Sequence, residues 1–278
     1  MANTIEYFKQ YVPLLDEIYK NSSLSSVLDG NSDLVSAGRN ANELVIPKMT
    51  MSGLADYSRS TGYVQGDVEL TYETVKCNYD RGRMFVVDAL DDMETAGIAF
   101  GRLAGEFIRT KVVPELDAYR FAAYASADGI SSESGALSSG ANVITALRAA
   151  HNTMDEEEVP TEGRMLFITP TLYGMIQDLD TTKSKQVLEK ARVIQVPQTR
   201  FNSNVTLGND GYTTAGANLN FLLIHPTATI QFQKHTVPKV VTPEANQDAD
   251  AWKFGYRTVG IAEVYENKAK GIYAHTTA

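Results

Sequence analysis

From residue 67 to 77 the chain alternates with a period of two. Val68, Leu70, Tyr72 and Thr74 fall on one side and Glu69, Thr71 and Glu73 on the other, which is the pattern of a β-strand. With Glu43–Met51 ahead of it, this predicts a long hairpin with arms 43–51 and 67–77. The connecting loop, 52–66, is rich in Gly, Ser, Asp and Tyr and has no core of its own. A hairpin by itself is marginal in water. Its cover must come from the rest of the chain or from another copy of it.

The period then changes to that of a helix. Met93, Ala96, Phe100, Leu103 and Phe107 recur at helical spacing, and 91–94 (Asp-Asp-Met-Glu) supplies an N-cap with an acid three residues on. Pro114 lacks a backbone donor, so a bend or break is expected near Val113. The stripe resumes with Leu116, Tyr119 and Ala123 and stops near Asp128. At 1.5 Å per residue the element would run about 50 Å. Ahead of the hairpin, Ile5, Phe8, Val12, Leu15 and Tyr19 are spaced three and four apart and predict a short amphipathic helix despite Pro13. Residues 22–42, dominated by Ser, Asn, Asp and Gly, suit an extended arm or a tail without fixed structure. The apolar stripe before them favours an arm that docks.

Residues 79–87 read as a link and 130–140 as a Ser/Gly linker. Beyond it the texture becomes α/β. Helices are expected at 141–154, from Pro170 to 179 and at 185–191, and strands at 164–169, 192–201 and 220–225. A Gly/Asn/Thr-rich loop is expected at 202–218. The rest reads as strand: 237–241, then 251–266, where Trp252, Phe254 and Tyr256 alternate with Lys253, Gly255 and Arg257, then 271–275.

Composition narrows the function classes. At 278 residues and 43% apolar the chain can bury a substantial core. A net charge of −9 argues against a surface built to grip phosphates. Cys77 is the single cysteine, which excludes an intrachain disulfide and predicts a reducing compartment. No apolar run is long enough to span a bilayer. Nucleophile elbows, phosphate loops, dinucleotide fingerprints and zinc-protease motifs are all missing. The four histidines, His151, His225, His235 and His275, are scattered, and His225 before Pro226 reads as structural. Asp88, Asp91, Asp92 and Glu94 could hold a hard cation, but acids also crowd helix N-termini as caps, and that reading is the stronger one. At the hairpin tip Leu54, Tyr57, Arg59 and Tyr63 have no place in a core of their own, and Tyr and Arg are residues that interfaces favour. Lys48 on the first arm is expected to be a solubilising edge lysine.

In order, an arm, an extended hairpin, a long interrupted helix, a central α/β unit and long C-terminal strands make one recognisable series. With 79–83 (Tyr-Asp-Arg-Gly-Arg), 113–120 (Val-Pro-Glu-Leu-Asp-Ala-Tyr-Arg), 223–228 (Leu-Ile-His-Pro-Thr-Ala) and 248–254 (Asp-Ala-Asp-Ala-Trp-Lys-Phe), the whole chain resembles the tailed-bacteriophage major capsid proteins of the Hong Kong 97 type. The resemblance implies an α+β fold. Residues 1–42 would be an N-terminal arm, 43–77 an extended loop over a neighbouring subunit, 78–140 with 231–278 a peripheral domain carrying a spine helix, and 141–230 an axial domain. It implies no catalytic role and no cofactor. The partners would be other copies of the chain in pentamers and hexamers, a separate scaffolding protein, a portal protein and loosely held DNA, with no membrane. The setting would be a virion, assembled in the host bacterial cytoplasm. Lys48, Leu54, Tyr57, Arg59 and Tyr63 would lie at intersubunit contacts. The alternatives are an encapsulin-like compartment around protein cargo and, from another class, a metal-dependent enzyme using the 88–94 carboxylates.

Overall fold

Two apolar runs, Met165–Ile168 and the end of Gly211–Ile224, are unbroken because both faces of their sheet are covered. The computed structural model describes residues 23–30, 36–37, 43–90, 98–179 and 181–278. Around those runs lies a six-stranded sheet. Strands β5 (Ser131–Ser134), β12 (Ile272–Thr276), β9 (Gly211–Ile224), β6 (Met165–Ile168) and β7 (Arg192–Gln195) follow in that spatial order, and β8 (Asn202–Gly208) pairs with the outer half of β9. Leu166, Ile168, Phe221, Leu223 and Tyr273 point to one side, under three helices: α3 (Gly140–Glu156), α4 (Pro170–Gln177) and α5 (Thr182–Glu189). Phe167, Leu222, Ile224, Ile272 and Ala274 point to the other, against Phe121 and Tyr124 of a helix α2 (Val113–Ala125). The alternation of neighbours along each strand produces this three-layer packing.

A second sheet carries the rest. Strands β10 (Thr229–Val241), β11 (Ala251–Val264) and β4 (Tyr79–Asp88) are antiparallel in that order. Tyr79, Phe254 and Tyr256 pack beneath a helix that begins at Ile98 within the described residues, as α1 (Ile98–Phe107), and continues into α2. Between α1 and α2, Ile108–Val112 is a π segment. Pro114 therefore sits where the π segment passes into α2, and the expected interruption is a widened turn in a continuous helix, which makes room for the proline ring and its missing donor. A third sheet, β1 (Ser36–Ala37), β2 (Glu43–Met51) and β3 (Val68–Lys76), holds the predicted hairpin, whose arms pair from Glu43↔Lys76 to Met51↔Val68. Val75 anchors its root against Ile230 and Ile261.

Several expectations need correction. The link at 79–87 is the edge strand β4, and part of the 130–140 linker is strand β5, held by parallel pairing with β12. The expected loop at 202–218 is a β-hairpin, turned at Asn209–Asp210 before Gly211, whose positive φ of 114° suits glycine. The strand expected at 192–201 stops at Gln195, and the one expected at 237–241 begins at Thr229. Strand β12 pairs with β9 and β5. The expected helix at 3–19 and the cap at 91–94 lie outside the described residues.

Candidate assembly surfaces

The hairpin projects from the body. From Met51 to Tyr72 only Ser58 and Gly62 are less than exposed. Direct pairing sets Met49 opposite Leu70 and Met51 opposite Val68, so with Tyr72 they form one apolar face, and all five are exposed. At the tip the chain folds back through a bridge between Ser58 and Gly62, whose φ is 79°. Tyr57 and Tyr63 meet across that turn with ring centroids 4.9 Å apart. Of the residues singled out in the sequence, Leu54, Tyr57, Arg59 and Tyr63 all lie exposed on this loop, with Leu54 as open as a free side chain at 108%. Lys48 is set apart on the first arm, its backbone opposite Thr71. A contiguous apolar strip of this kind marks a contact surface.

A second feature is a buried polar joint between the N-terminal arm and the long helix. Asp117 is fully buried. Its Oδ1 accepts from Ser23 Oγ at 2.8 Å, from Ser25 Oγ at 2.6 Å and from the Ser25 amide at 3.2 Å, and its Oδ2 accepts from the Leu24 amide at 3.0 Å. Arg200 donates to Oδ2 at 3.3 Å. Arg120, also buried, donates to Ser25 Oγ at 2.9 Å and lies 3.5 Å from Asp29. Gln231 donates to the Ser25 carbonyl at 2.7 Å and to Asp29 at 2.6 Å, and accepts from Tyr124 at 2.7 Å. Residues 23–30 are thus fastened to α2 and β10. The charges at 115, 117 and 120 stand out among the mostly apolar residues of this helix, but the sequence does not tell a buried charge there from a solvated one.

A third joint ties the β8–β9 turn to β4. Arg81 donates to Glu115 at 2.8 Å and to the Gly208 carbonyl at 2.7 Å, while Arg83 donates to the Asn209 carbonyl at 2.6 Å. Tyr79 donates to Glu115 at 3.1 Å; burial, and then that carboxylate, push its phenol well above the usual range. Arg81's own hydrogen bond to Glu115 holds its guanidinium above the ordinary value. Burial also raises the Tyr212 phenol, on which Arg200, Asp117 and Glu115 all act.

Residues weighed for chemistry make local contacts. His225 pairs with Thr227 Oγ1 at 2.7 Å and the Glu162 carbonyl at 3.1 Å. Asp88 accepts from the Leu90 amide at 2.9 Å, as a capping acid does, and 91–94 lie outside the described residues. Trp252, in the alternating strand, is half-buried. Among the described residues no cluster of His, Cys, Asp or Glu is arranged to hold a metal ion, and no helix is long and apolar enough to cross a membrane.

This arrangement of hairpin, long helix and two sheets is the α+β capsid fold of the Hong Kong 97 type. The capsid of Myoviridae phage XM1 is similar over 92% of this chain and 91% of its own, at 10% identity and a TM-score of 0.59. The capsid of cyanophage P-SCSP1u is similar over 87% and 84%, at 14% identity and a TM-score of 0.58. A virus-like particle from Pyrococcus furiosus is similar over 94% and 95%, at 14% identity and a TM-score of 0.56. No family model matches the sequence, and no curated protein matches it either.

Proposed function

We propose that this chain is the major shell subunit of a tailed bacteriophage, assembling through pentamers and hexamers into an icosahedral capsid around double-stranded DNA. The observation that carries the reading is the exposed apolar face of the hairpin, Met49, Met51, Val68, Leu70 and Tyr72, on a fold shared with phage capsids. Each such side chain gains about 1.5–3 kcal/mol on full burial, a gain the monomer forgoes. The tip residues Leu54, Tyr57, Arg59 and Tyr63, with Lys48 on the arm, belong to the intersubunit contact. Residues 78–140 and 231–278 act as the peripheral domain and 141–230 as the axial one, with β5 and β12 lending strands to the axial sheet. The role is structural, without catalysis. Partners are further copies of the chain, a separate scaffolding protein and a portal protein. DNA is held by weak non-specific contact, in keeping with the net charge of −9. The protein resides in the virion after assembly in the host cytoplasm.

The test removes residues 52–66 and joins the arms with a short Gly linker. The subunit should stay soluble with an unchanged melting temperature, because the loop is exposed, and electron micrographs of an assembly reaction with scaffolding protein should show no particles. Normal particles from this variant would sink the reading.

A second reading, an encapsulin-like shell around protein cargo, draws support from the Pyrococcus furiosus virus-like particle, which matches a larger share of both chains than either phage capsid above. Bulk nucleic acid in native particles supports the phage; protein cargo without it supports the compartment.

A further inference from the structure

The loop at 157–164, between α3 and β6, is held down by one buried side chain. Arg164 donates to the Val159 carbonyl at 2.6 Å and to the Pro160 carbonyl at 2.9 Å, and it lies 2.7 Å from Asp155 near the end of α3. It is buried, and its remaining contact is with His151, whose Nδ1 is 3.4 Å from Nη1. The loop bends sharply beneath this clamp. Glu158 has a φ of 58°, in the left-handed region that a residue with a Cβ disfavours.

The chemistry of the pair fixes the proton on His151. A guanidinium can only donate, so Nδ1 accepts and the one ring proton sits on Nε2, which is buried without a partner among the described residues. A second proton has only Nδ1 to go to, and there it points at Arg164. The hydrogen bond is then lost, and two cations stand in contact away from water. Three charged groups face the ring: Arg164 at the start of β6, Lys190 just past α5, and Asp155 on its own helix. Burial and the two cations hold the imidazole down to about 4, with Asp155 opposing them. The Arg164 backbone cannot yield, because its carbonyl accepts from the Arg192 amide of β7 at 2.9 Å. The side chain must move, and its hold on Val159 and Pro160 goes with it.

The other ties of the loop respond differently. Glu157 meets Lys270 at 3.2 Å on the exposed surface, where such a pair holds weakly. At the far end, His225 Nδ1 accepts from the Thr227 amide at 3.4 Å, so its Nε2 carries the proton and donates to the Glu162 carbonyl at 3.1 Å. A charged His225 keeps that proton, and this tie survives acid.

We propose that His151 and Arg164 form an acid-released latch: protonation of His151 turns the guanidinium away, and residues 157–161 open about Glu162 while the sheet stays in place. The latch works within one subunit and does not depend on assembly.

The experiment follows amide exchange in the full-length unassembled subunit from pH 7 to pH 5, corrected for the intrinsic pH dependence of exchange. The Glu158 and Val159 amides, bonded to the Asp155 and Met154 carbonyls, report on the loop. With the imidazole near 6.5 when the loop is open and about 4 when it is closed, they should lose protection roughly tenfold or more by pH 5. The amides of β6 and β9 should keep theirs. In His151→Gln, which stays neutral and can still accept from Arg164, the loss at the loop should be under about twofold. A wild-type loop whose protection ignores pH, an equal loss in His151→Gln, or loosening of loop and strands in step would each overturn the proposal. If the glutamine variant does not fold, the wild-type series decides. Uptake of one proton by a histidine gives a slope near one decade per pH unit from about pH 6 downward, whereas an opening that begins only where carboxylates titrate would overturn it.

Discussion

Replacing Asp117 by alanine attacks the joint between arm and helix, and the structure sets the size of the effect. The carboxylate is fully buried and accepts from two amides, two hydroxyls and a guanidinium. The serine hydroxyls can rotate to other acceptors. Arg200, with 22% of its side chain exposed, can turn to water. The amides of Leu24 and Ser25 cannot, because moving them means moving the arm. A buried donor left unmade costs about 1–3 kcal/mol, and breaking a buried charge pair about 3–5 kcal/mol. Since the arginine has an escape, the total should fall near 3–4 kcal/mol by those figures. For a chain of this size that corresponds to a drop in melting temperature of roughly 6–10 °C. Urea titration of the isolated subunit measures the loss directly, with an unchanged slope if the denatured state is unaltered. Hydrogen exchange should rise first at Leu24 and Ser25. Asp117→Asn keeps one acceptor oxygen and should lose about half as much by the same reasoning. A loss below ~1 kcal/mol for the alanine variant, or an arm whose exchange does not change, would show that the joint is incidental.

Two further outcomes are expected. Burial, followed by Arg164 and Lys190, lowers the His151 imidazole to about 4, with Asp155 acting the other way; its Nε2 is buried with no partner. The unfolded chain therefore binds the extra proton between its ordinary value near 6.5 and about 4. Stability should be intact above that window and decline as pH falls through it, by up to ~3 kcal/mol. The difference between wild type and His151→Leu in urea titrations from pH 7 to 4.5 isolates this slope, and parallel curves would refute it. Gly140→Ala places a methyl on the Met175 carbonyl oxygen and against Leu179, where α3 meets α4. Overpacking there should cost about 1–3 kcal/mol, read as a lower urea midpoint; an unchanged midpoint would mean that the two helices separate freely.

Much of the fold was legible because its signals are local. The hairpin arms follow from strict alternation, and the arms 43–51 and 67–77 agree with β2 and β3 to within a residue at each end. The helix stripe and Pro114 marked a long interrupted helix. The apolar runs at 164–169 and 220–225 marked strands covered on both faces. The tip residues Leu54, Tyr57, Arg59 and Tyr63 were singled out as side chains with no place in an alternating pattern, and the loop that carries them is exposed.

Partners distant in sequence decided the rest. Residues 202–218 are too rich in Asn, Gly and Thr to read as strand; they become one because β8 and β9 satisfy each other's backbone and Arg81 and Arg83 hold the turn. Ser131–Ser134 carries no apolar pattern and is a strand only through the backbone of β12, from the far end of the chain. Nothing in the sequence distinguishes Asp117, which gathers Ser23, Ser25 and Arg200, from a solvated helix acid, because burial of a charge depends on what the tertiary structure brings around it. The sequence by itself determined which residues alternate and where helices can start or widen. Only the tertiary structure decided which apolar face stays open, since exposure of Leu70 and Tyr72 depends on how far the hairpin reaches beyond the body that anchors Val75.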